Sequence, residues 1–256
     1  RRLLVGRDRG FPVCDDYQPP FAFTGTIERL LIEVPALAPP DAEQEIAAVL
    51  AGESRYCVLH GDCLDLLPLV PAKCGVCALD PPYGIGTKNI AWDKLPWEQW
   101  LPWLDERLVE CTRVGRLTFA FFAATKLIRF VRETTVPPQM EINWHKPMML
   151  HDTSLNGSPF LAHREAILYW GPMSPKEAGK LGYDSFAVNA LWPRERRALG
   201  LEHPTPKPLG LLLQTLPHWT TADDIVIDPF CGEGTTLVAG LRLGPLDLPL
   251  SVKHAE

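Results

Sequence analysis

Ile225-Val226-Ile227-Asp228-Pro229-Phe230-Cys231-Gly232-Glu233-Gly234-Thr235 decides the fold. Three β-branched apolar residues suit a short buried strand. Asp228 closes that run. Gly232 and Gly234 then permit a tight turn and close approach of backbone to a ligand. From Thr235 to Leu243 the spacing predicts a helix. Strand, acid, glycine turn and helix together describe a nucleotide-type site, with the ligand beyond the carboxyl end of the strand and near the helix N-terminus. A lone Gly-X-Gly would carry little; its strand, acid and helix context carries more.

Working toward the N-terminus, strands and helices alternate. Strands are expected at Tyr56–His60, Val76–Leu79, Leu117–Phe122, Met140–Trp144, Ala166–Trp170 and Ile225–Asp228. Helices are expected from Asp41 to about Leu50, then at Trp97–Cys111, Ala124–Thr134 and Leu209–Leu216. Pro208 precedes the last, at a first-turn position where proline is tolerated. Such alternation implies an α/β fold with a doubly wound, mostly parallel sheet. Residues 1–52, proline-rich over the first 40, read as an N-terminal extension with one short strand at Ile27–Val34; 53–256 form the main domain. Glycine and proline crowd 171–206, a long connection of the kind that usually carries function or is disordered.

Asp80-Pro81-Pro82-Tyr83 ends the Val76–Leu79 strand. Two prolines stiffen the backbone and remove two N–H donors. The Asp80 carboxylate and the Pro81 carbonyl become acceptors without local donors, and an exocyclic NH2 group could satisfy both. Tyr83 adds an aromatic face for stacking. An aromatic amine is a poor nucleophile because its lone pair is delocalised into the ring. Two fixed acceptors on its hydrogens favour a pyramidal nitrogen, which stabilises the transition state of attack on an electrophile. The plainer alternative is a Pro-Pro strand terminator.

Bulk composition narrows the field. The chain has 256 residues, 46% hydrophobic and 22% charged, with a net charge of −6. Length and balance suit one globular domain with appendages. No uninterrupted apolar run is long enough to span a bilayer. Charge returns at Arg7, which argues against a signal peptide and leaves the cytoplasm as the default. Seven scattered cysteines suit reduced thiols better than a disulfide framework. Cys74-Gly75-Val76-Cys77 has no second pair at zinc spacing, so no metal is expected. Acidity argues weakly against nucleic acid, but Arg194, Arg196 and Arg197 form a basic cluster. A solvated surface turn would explain that cluster equally.

Taken in order, these motifs resemble the S-adenosylmethionine-dependent DNA amino-methyltransferases. The catalytic motif precedes the cofactor loop, a circularly permuted order similar to the beta class of that family. His60-Gly61-Asp62, Trp144-His145-Lys146-Pro147 and His203-Pro204-Thr205-Pro206-Lys207-Pro208 fit the same pattern, and the resemblance covers about Arg55 to Gly244. It implies a Rossmann-like methyltransferase sheet. It implies Gly232, Gly234 and Thr235 at the methionine end of the cofactor, Asp228 and Phe230 flanking it, Asp62 at its adenine, and Thr205 and Lys207 at its carboxylate. Asp80, Pro81, Pro82 and Tyr83 become the catalytic motif that holds a flipped-out base. Residues 171–202 become a short target-recognition insertion, with Arg194, Arg196 and Arg197 contacting phosphate or guanine. Lys146 falls on the nucleic-acid side. Trp92 is a second stacking candidate, although Trp92, Trp97, Trp100 and Trp103 more simply pack a helix and its leading loop. The expected partner is double-stranded DNA, with room for a homodimer and for a partner restriction endonuclease.

Aspartate at the first motif position leans toward adenine N6 rather than cytosine N4. Carbon-5 methylation of cytosine needs a Pro-Cys nucleophile, which the chain lacks. RNA guanine-N2 methyltransferases can share Asp-Pro-Pro-Tyr but carry the glycine loop upstream of it. One departure stands out. After the glycine-loop helix the family continues into a buried strand ending in an acid that holds the cofactor ribose. Here Pro245 and Pro249 interrupt the corresponding stretch, and the acidic position falls near Ser251. Asp247 and Glu256 are candidate substitutes. A catalytically impaired fold that binds DNA or protein is therefore the rival expectation.

Overall fold

The computed structural model describes residues 2–6, 39–84, 94–147, 163–173, 183–198, 200–201, 205–221 and 224–244. Among the described residues eight strands form one sheet: β1 (Arg2–Gly6), β2 (Tyr56–Leu59), β3 (Gly75–Leu79), β4 (Gly115–Phe122), β5 (Met140–His145), β6 (Arg164–Trp170), β7 (Ser185–Ala187) and β8 (Ile225–Asp228). Their order across the sheet is β2-β1-β8-β3-β4-β6-β5-β7. The run from β2 to β4 is parallel throughout. β6 is antiparallel to both β4 and β5, and β7 returns parallel to β5. The sheet is thus mostly parallel, as the alternation of elements predicts.

Helices cover both faces. α1 (Pro39–Ala51), α2 (Cys63–Leu66), α3 (Trp97–Val114) and α4 (Leu127–Glu133) lie among the elements before β5; α5 (Pro193–Ala198), α6 (Leu209–Trp219) and α7 (Thr235–Leu243) follow β7. Side-chain alternation along β4 separates two cores. Ala120 and Phe122 join Trp100, Leu104, Leu108 and Phe130 from α3 and α4. Leu117, Phe119 and Phe121 join Leu211, Leu212 and Leu216 from α6, with Leu237 and Leu241 from α7. β4 therefore reads as a nearly continuous apolar run because both of its faces are covered.

Three differences from the sequence expectations concern placement. α4 starts at Leu127 rather than Ala124. The connection 171–206 supplies an edge strand, β7, and a short helix, α5. Most consequential is β1. Leu3, Leu4 and Val5 register with Val226, Ile227 and Asp228 on one side and with Tyr56, Cys57 and Val58 on the other. Arg2–Gly6, from near the start of the sequence, is thus the neighbour of β8 on the side away from β3, while the stretch after Gly244 lies outside the described residues. Ala42, Ile46 and Val49 of α1 share a core cluster with Cys57 and Leu59 of β2. Residues on both sides of position 52 accordingly pack together. Ile27–Val34, Asp247, Ser251 and Glu256 lie outside the described residues.

Candidate active site

β3 and β8 are neighbours in the sheet, with Cys77 opposite Ile227. That pairing brings two motifs far apart in sequence to the carboxyl ends of adjacent parallel strands. Asp80 follows β3, and Asp228 ends β8. Sites of open α/β sheets form at such strand ends.

The loop after β3 is held from several elements. Trp100 of α3, fully buried, donates from Nε1 to the Pro82 carbonyl at 2.7 Å. Lys126, before α4, donates to the Gly84 carbonyl. Gly84 has φ +61°, and a Cβ there would lie 2.9 Å from the Trp100 ring, so glycine is required. The Tyr83 hydroxyl donates to Asp80 Oδ1 at 2.7 Å. Lys207 Nζ reaches the same oxygen, also at 2.7 Å. Among the described residues, Asp80 Oδ2 and the Pro81 carbonyl have no donor. The carboxylate is thus fixed through one oxygen and leaves the other as an acceptor.

Behind Asp80 lies a group of charges that sequence reasoning missed. Glu165 of β6 pairs with Lys146 through Oε1. Its Oε2 is 3.6 Å from Lys207 Nζ and 3.4 Å from the Tyr83 hydroxyl. Burial works against the Glu165 charge, but Lys207 and Lys146 outweigh it and hold the carboxyl below its ordinary range. Burial likewise opposes the Lys207 charge, yet Asp80 and Glu165 raise its ammonium above its usual range. Burial and the adjacent Asp80 and Glu165 push the Tyr83 phenol up, so it stays a donor. Lys207 sits against Asp80 and Tyr83 of the loop after β3, whereas the resemblance implied a place at the cofactor carboxylate. Lys146, expected to face nucleic acid, is buried, with its ammonium committed to Glu165 and 4.4 Å from the Trp144 ring centroid.

The glycine turn has its own support. Asp228 is buried, and its Oδ1 accepts from the Phe230 N–H at 2.9 Å. Burial raises its carboxyl to about 7; the Thr236 hydroxyl and Phe230 N–H oppose the rise, and the charge of Asp80 adds to it. Gly234 caps α7 at φ +72° with no side-chain hydrogen bond, and a Cβ built there would meet nothing within 4 Å. Gly232 is also left-handed, at φ +54°. The turn therefore presents backbone to an open space at a helix N-terminus.

Asp62 caps α2 by accepting from the Leu64 N–H at 3.0 Å. Arg107 of α3, 6% exposed, grips both Asp62 oxygens at 3.0 and 2.8 Å. The Arg107 guanidinium lies 4.3 Å from the Trp103 ring centroid, and Trp103 packs against Phe230 at 5.9 Å. One contact chain thus links Asp62 to the glycine turn. Arg107 shares an α3 face with buried Trp100, Leu104, Leu108 and Cys111. A charge on that apolar stripe was the sequence signal for its role. No comparable signal marks Glu165.

Thr205 is exposed, as are Arg194 and Arg197 on α5, while Arg196 is half-buried. Among the described contacts of Asp80, Tyr83 and Glu165, none is with Arg194 or Arg197. Trp92 lies outside the described residues. Among those residues no group of three His, Cys, Asp or Glu side chains is placed to hold a metal, and no helix is long and apolar enough to cross a membrane.

A protein-family model described as DNA methylase, of the N6/N4 methyltransferases, matches residues 76–245. Over 42 residues the chain is 52% identical to Type II methyltransferase M2.MboI of Moraxella bovis, a match covering 16% of this chain and 15% of that protein. Over 197 residues it is 24% identical to "Putative methylase YubD" of Escherichia coli (strain K12), covering 75% and 81% respectively. Among solved structures, PvuII DNA methyltransferase (cytosine-N4-specific) superposes with a TM-score of 0.53 at 15% identity, over 77% of this chain and 81% of that one. The likeness is one of fold.

Proposed function

The chain belongs to the DNA methylase family, and from that premise we propose that it transfers a methyl group from S-adenosylmethionine to the exocyclic N6 of a flipped-out adenine in double-stranded DNA. The observation that carries this reading is the Asp80 carboxylate, fixed through Oδ1 by Tyr83 and Lys207, with no donor to Oδ2 among the described residues.

The residues present fit the cofactor. The open space at Gly234 and the start of α7, which no side chain caps, suit an amino-acid carboxylate. Phe230, backed by Trp103, offers an apolar wall for a purine. Asp62, oriented by Arg107, offers an acceptor for a purine amine. Gly232, Gly234 and Thr235 would line the methionine end, Asp228 and Phe230 would flank it, Asp62 would meet the adenine, and Thr205 would close the carboxylate end. Lys207 is better assigned to the catalytic clamp than to the cofactor. When bound, S-adenosylmethionine supplies a methyl group on a sulfonium, already electrophilic.

The protein's task is to make the amine a nucleophile. Asp80 Oδ2 and the Pro81 carbonyl accept its two hydrogens, which favours a pyramidal nitrogen with an available lone pair. Pro81 and Pro82 contribute no N–H to compete for those acceptors. Trp100 occupies the Pro82 carbonyl and so leaves Pro81 as the loop's open acceptor. Because the acceptors are fixed before the base arrives, little reorganisation accompanies the developing charge. The base enters only after leaving the duplex stack. Arg194, Arg196 and Arg197 on α5 are assigned to phosphate or guanine contacts. Aspartate at position 80 favours adenine over cytosine.

The test is transfer of labelled methyl groups from the cofactor to mixed-sequence DNA, followed by digestion to nucleosides. The proposal expects label in N6-methyl-2′-deoxyadenosine. Label confined to N4-methyl-2′-deoxycytidine overturns the base assignment, and absence of label despite cofactor binding favours an impaired binding module.

A further inference from the structure

We infer that Glu165 is a positioning residue for methyl transfer: it holds Lys207 where Lys207 and Tyr83 fix one oxygen of Asp80 and leave the other for the substrate amine. The inference rests on the reading of Asp80 as the amine acceptor.

Glu165 stands opposite Trp144 near the start of β6, on the strand between β4 and β5. From there it faces three polar groups at once: Lys146 beyond β5, Lys207 before α6 and the Tyr83 hydroxyl. The other carboxylate in contact with Lys207 is Asp80. Two lysines, each with a side chain 9% exposed, are therefore balanced by two carboxylates. Lys207 is also surrounded by rings, with the centroids of Tyr83, Phe121 and Trp144 at 5.2, 5.3 and 5.9 Å. Such an enclosure tolerates an ammonium and offers few alternative acceptors.

The balance determines what Asp80 can do. With Glu165 ionised, Lys146 has its own partner and Lys207 is shared between two carboxylates. Asp80 then accepts from Lys207 and Tyr83 on one oxygen only. With the Glu165 charge removed, Lys146 loses its partner and Lys207 keeps Asp80 as its one carboxylate among the described residues. Either Oδ2 is drawn into pairing, or Lys207 gives up its proton. Both outcomes damage the clamp without touching the glycine turn, where the cofactor is assigned. The ionisable groups around Lys207 are Asp80 and Tyr83 from the loop after β3, Lys146 from beyond β5 and Glu165 from β6. Asp228, at the end of β8, acts on the cluster through Asp80.

Glu165→Gln keeps the shape and removes the charge. The measurements are its thermal melt, its affinity for S-adenosylmethionine, and kcat for DNA methylation across pH, beside wild type and Asp80→Ala. The variant is expected to melt cooperatively and bind the cofactor as wild type does. Its kcat should fall roughly ten- to a hundredfold, the cost of a displaced reacting group. The alkaline limb of its kcat profile should lie about one pH unit below that of wild type, because Lys207 has lost one of its two counter-ions. A wild-type kcat and pH profile in Glu165→Gln, with Asp80→Ala inactive, overturns the inference. Wild-type activity in Asp80→Ala overturns instead the reading on which it rests. If Glu165→Gln does not fold, Glu165→Asp carries the test, since it withdraws the carboxylate by one methylene. Its kcat must then fall with cofactor affinity unchanged, and a wild-type kcat overturns the inference.

Discussion

Replacing Asp228 with asparagine should remove a pH dependence from the stability of the protein. Asp228 is 3% exposed, and burial is the main reason its carboxyl titrates near 7 instead of 3.8. The folded state therefore holds this proton at pH values where the unfolded chain has released it. Between about 4 and 7 the folded form binds more protons, so stability falls as pH rises through that window. The contribution is intact below the unfolded value and lost above the folded one. At about 1.36 kcal/mol per pH unit, the span from 3.8 to about 7 amounts to at most about 4 kcal/mol. The asparagine side chain carries no charge and retains an oxygen for the Phe230 N–H. Urea unfolding followed by circular dichroism from pH 4 to pH 8 gives the difference in stability between variant and wild type. Other titrating groups, including Asp224 and Glu165, are common to both chains and largely cancel. The difference should grow in favour of the variant through the window and level off above it. A constant offset across the whole range would refute the assignment of a buried, charge-penalised carboxyl.

Other expectations concern the supports of the site. Trp100→Phe strands the Pro82 carbonyl without its Nε1 donor; it should cost about 1–3 kcal/mol in urea unfolding and lower kcat with little change in cofactor affinity. Arg107→Met leaves Asp62 without its guanidinium partner and should weaken S-adenosylmethionine binding about tenfold by calorimetry, equivalent to roughly 1.4 kcal/mol. Arg194→Ala combined with Arg197→Ala should reduce the slope of log affinity against log salt for DNA by about 2, leaving cofactor affinity intact.

How far the sequence revealed these features depended on the range of the interactions involved. β8 and α7 were legible to the residue, because the Ile225–Ile227 run and the glycines after it act locally. β3 and β4 were legible within two residues, since strands buried on both faces read as apolar runs. β1 was not, because five residues between arginines gain strand character only from β8 and β2, which lie elsewhere in the chain. The sheet takes a neighbour of β8 from residues 2–6, whereas the resemblance implied a strand after Gly244. The site followed the same rule. Asp80, Tyr83, Asp228 and the glycines announce their chemistry through adjacent residues. The Lys207–Asp80 and Lys146–Glu165 pairs join separate elements, and the sequence offered Lys207 and Lys146 only roles drawn from resemblance. Arg107 stood on an apolar helix face and was open to discovery by spacing alone.

The central claim is that Asp80 acts on the substrate amine and not on the cofactor. Single-turnover methyl transfer by Asp80→Ala, at saturating S-adenosylmethionine and with cofactor affinity measured alongside, tests it most directly. The rate should fall at least about a hundredfold below wild type with cofactor binding unchanged. A wild-type rate would contradict it, as would a loss confined to cofactor binding.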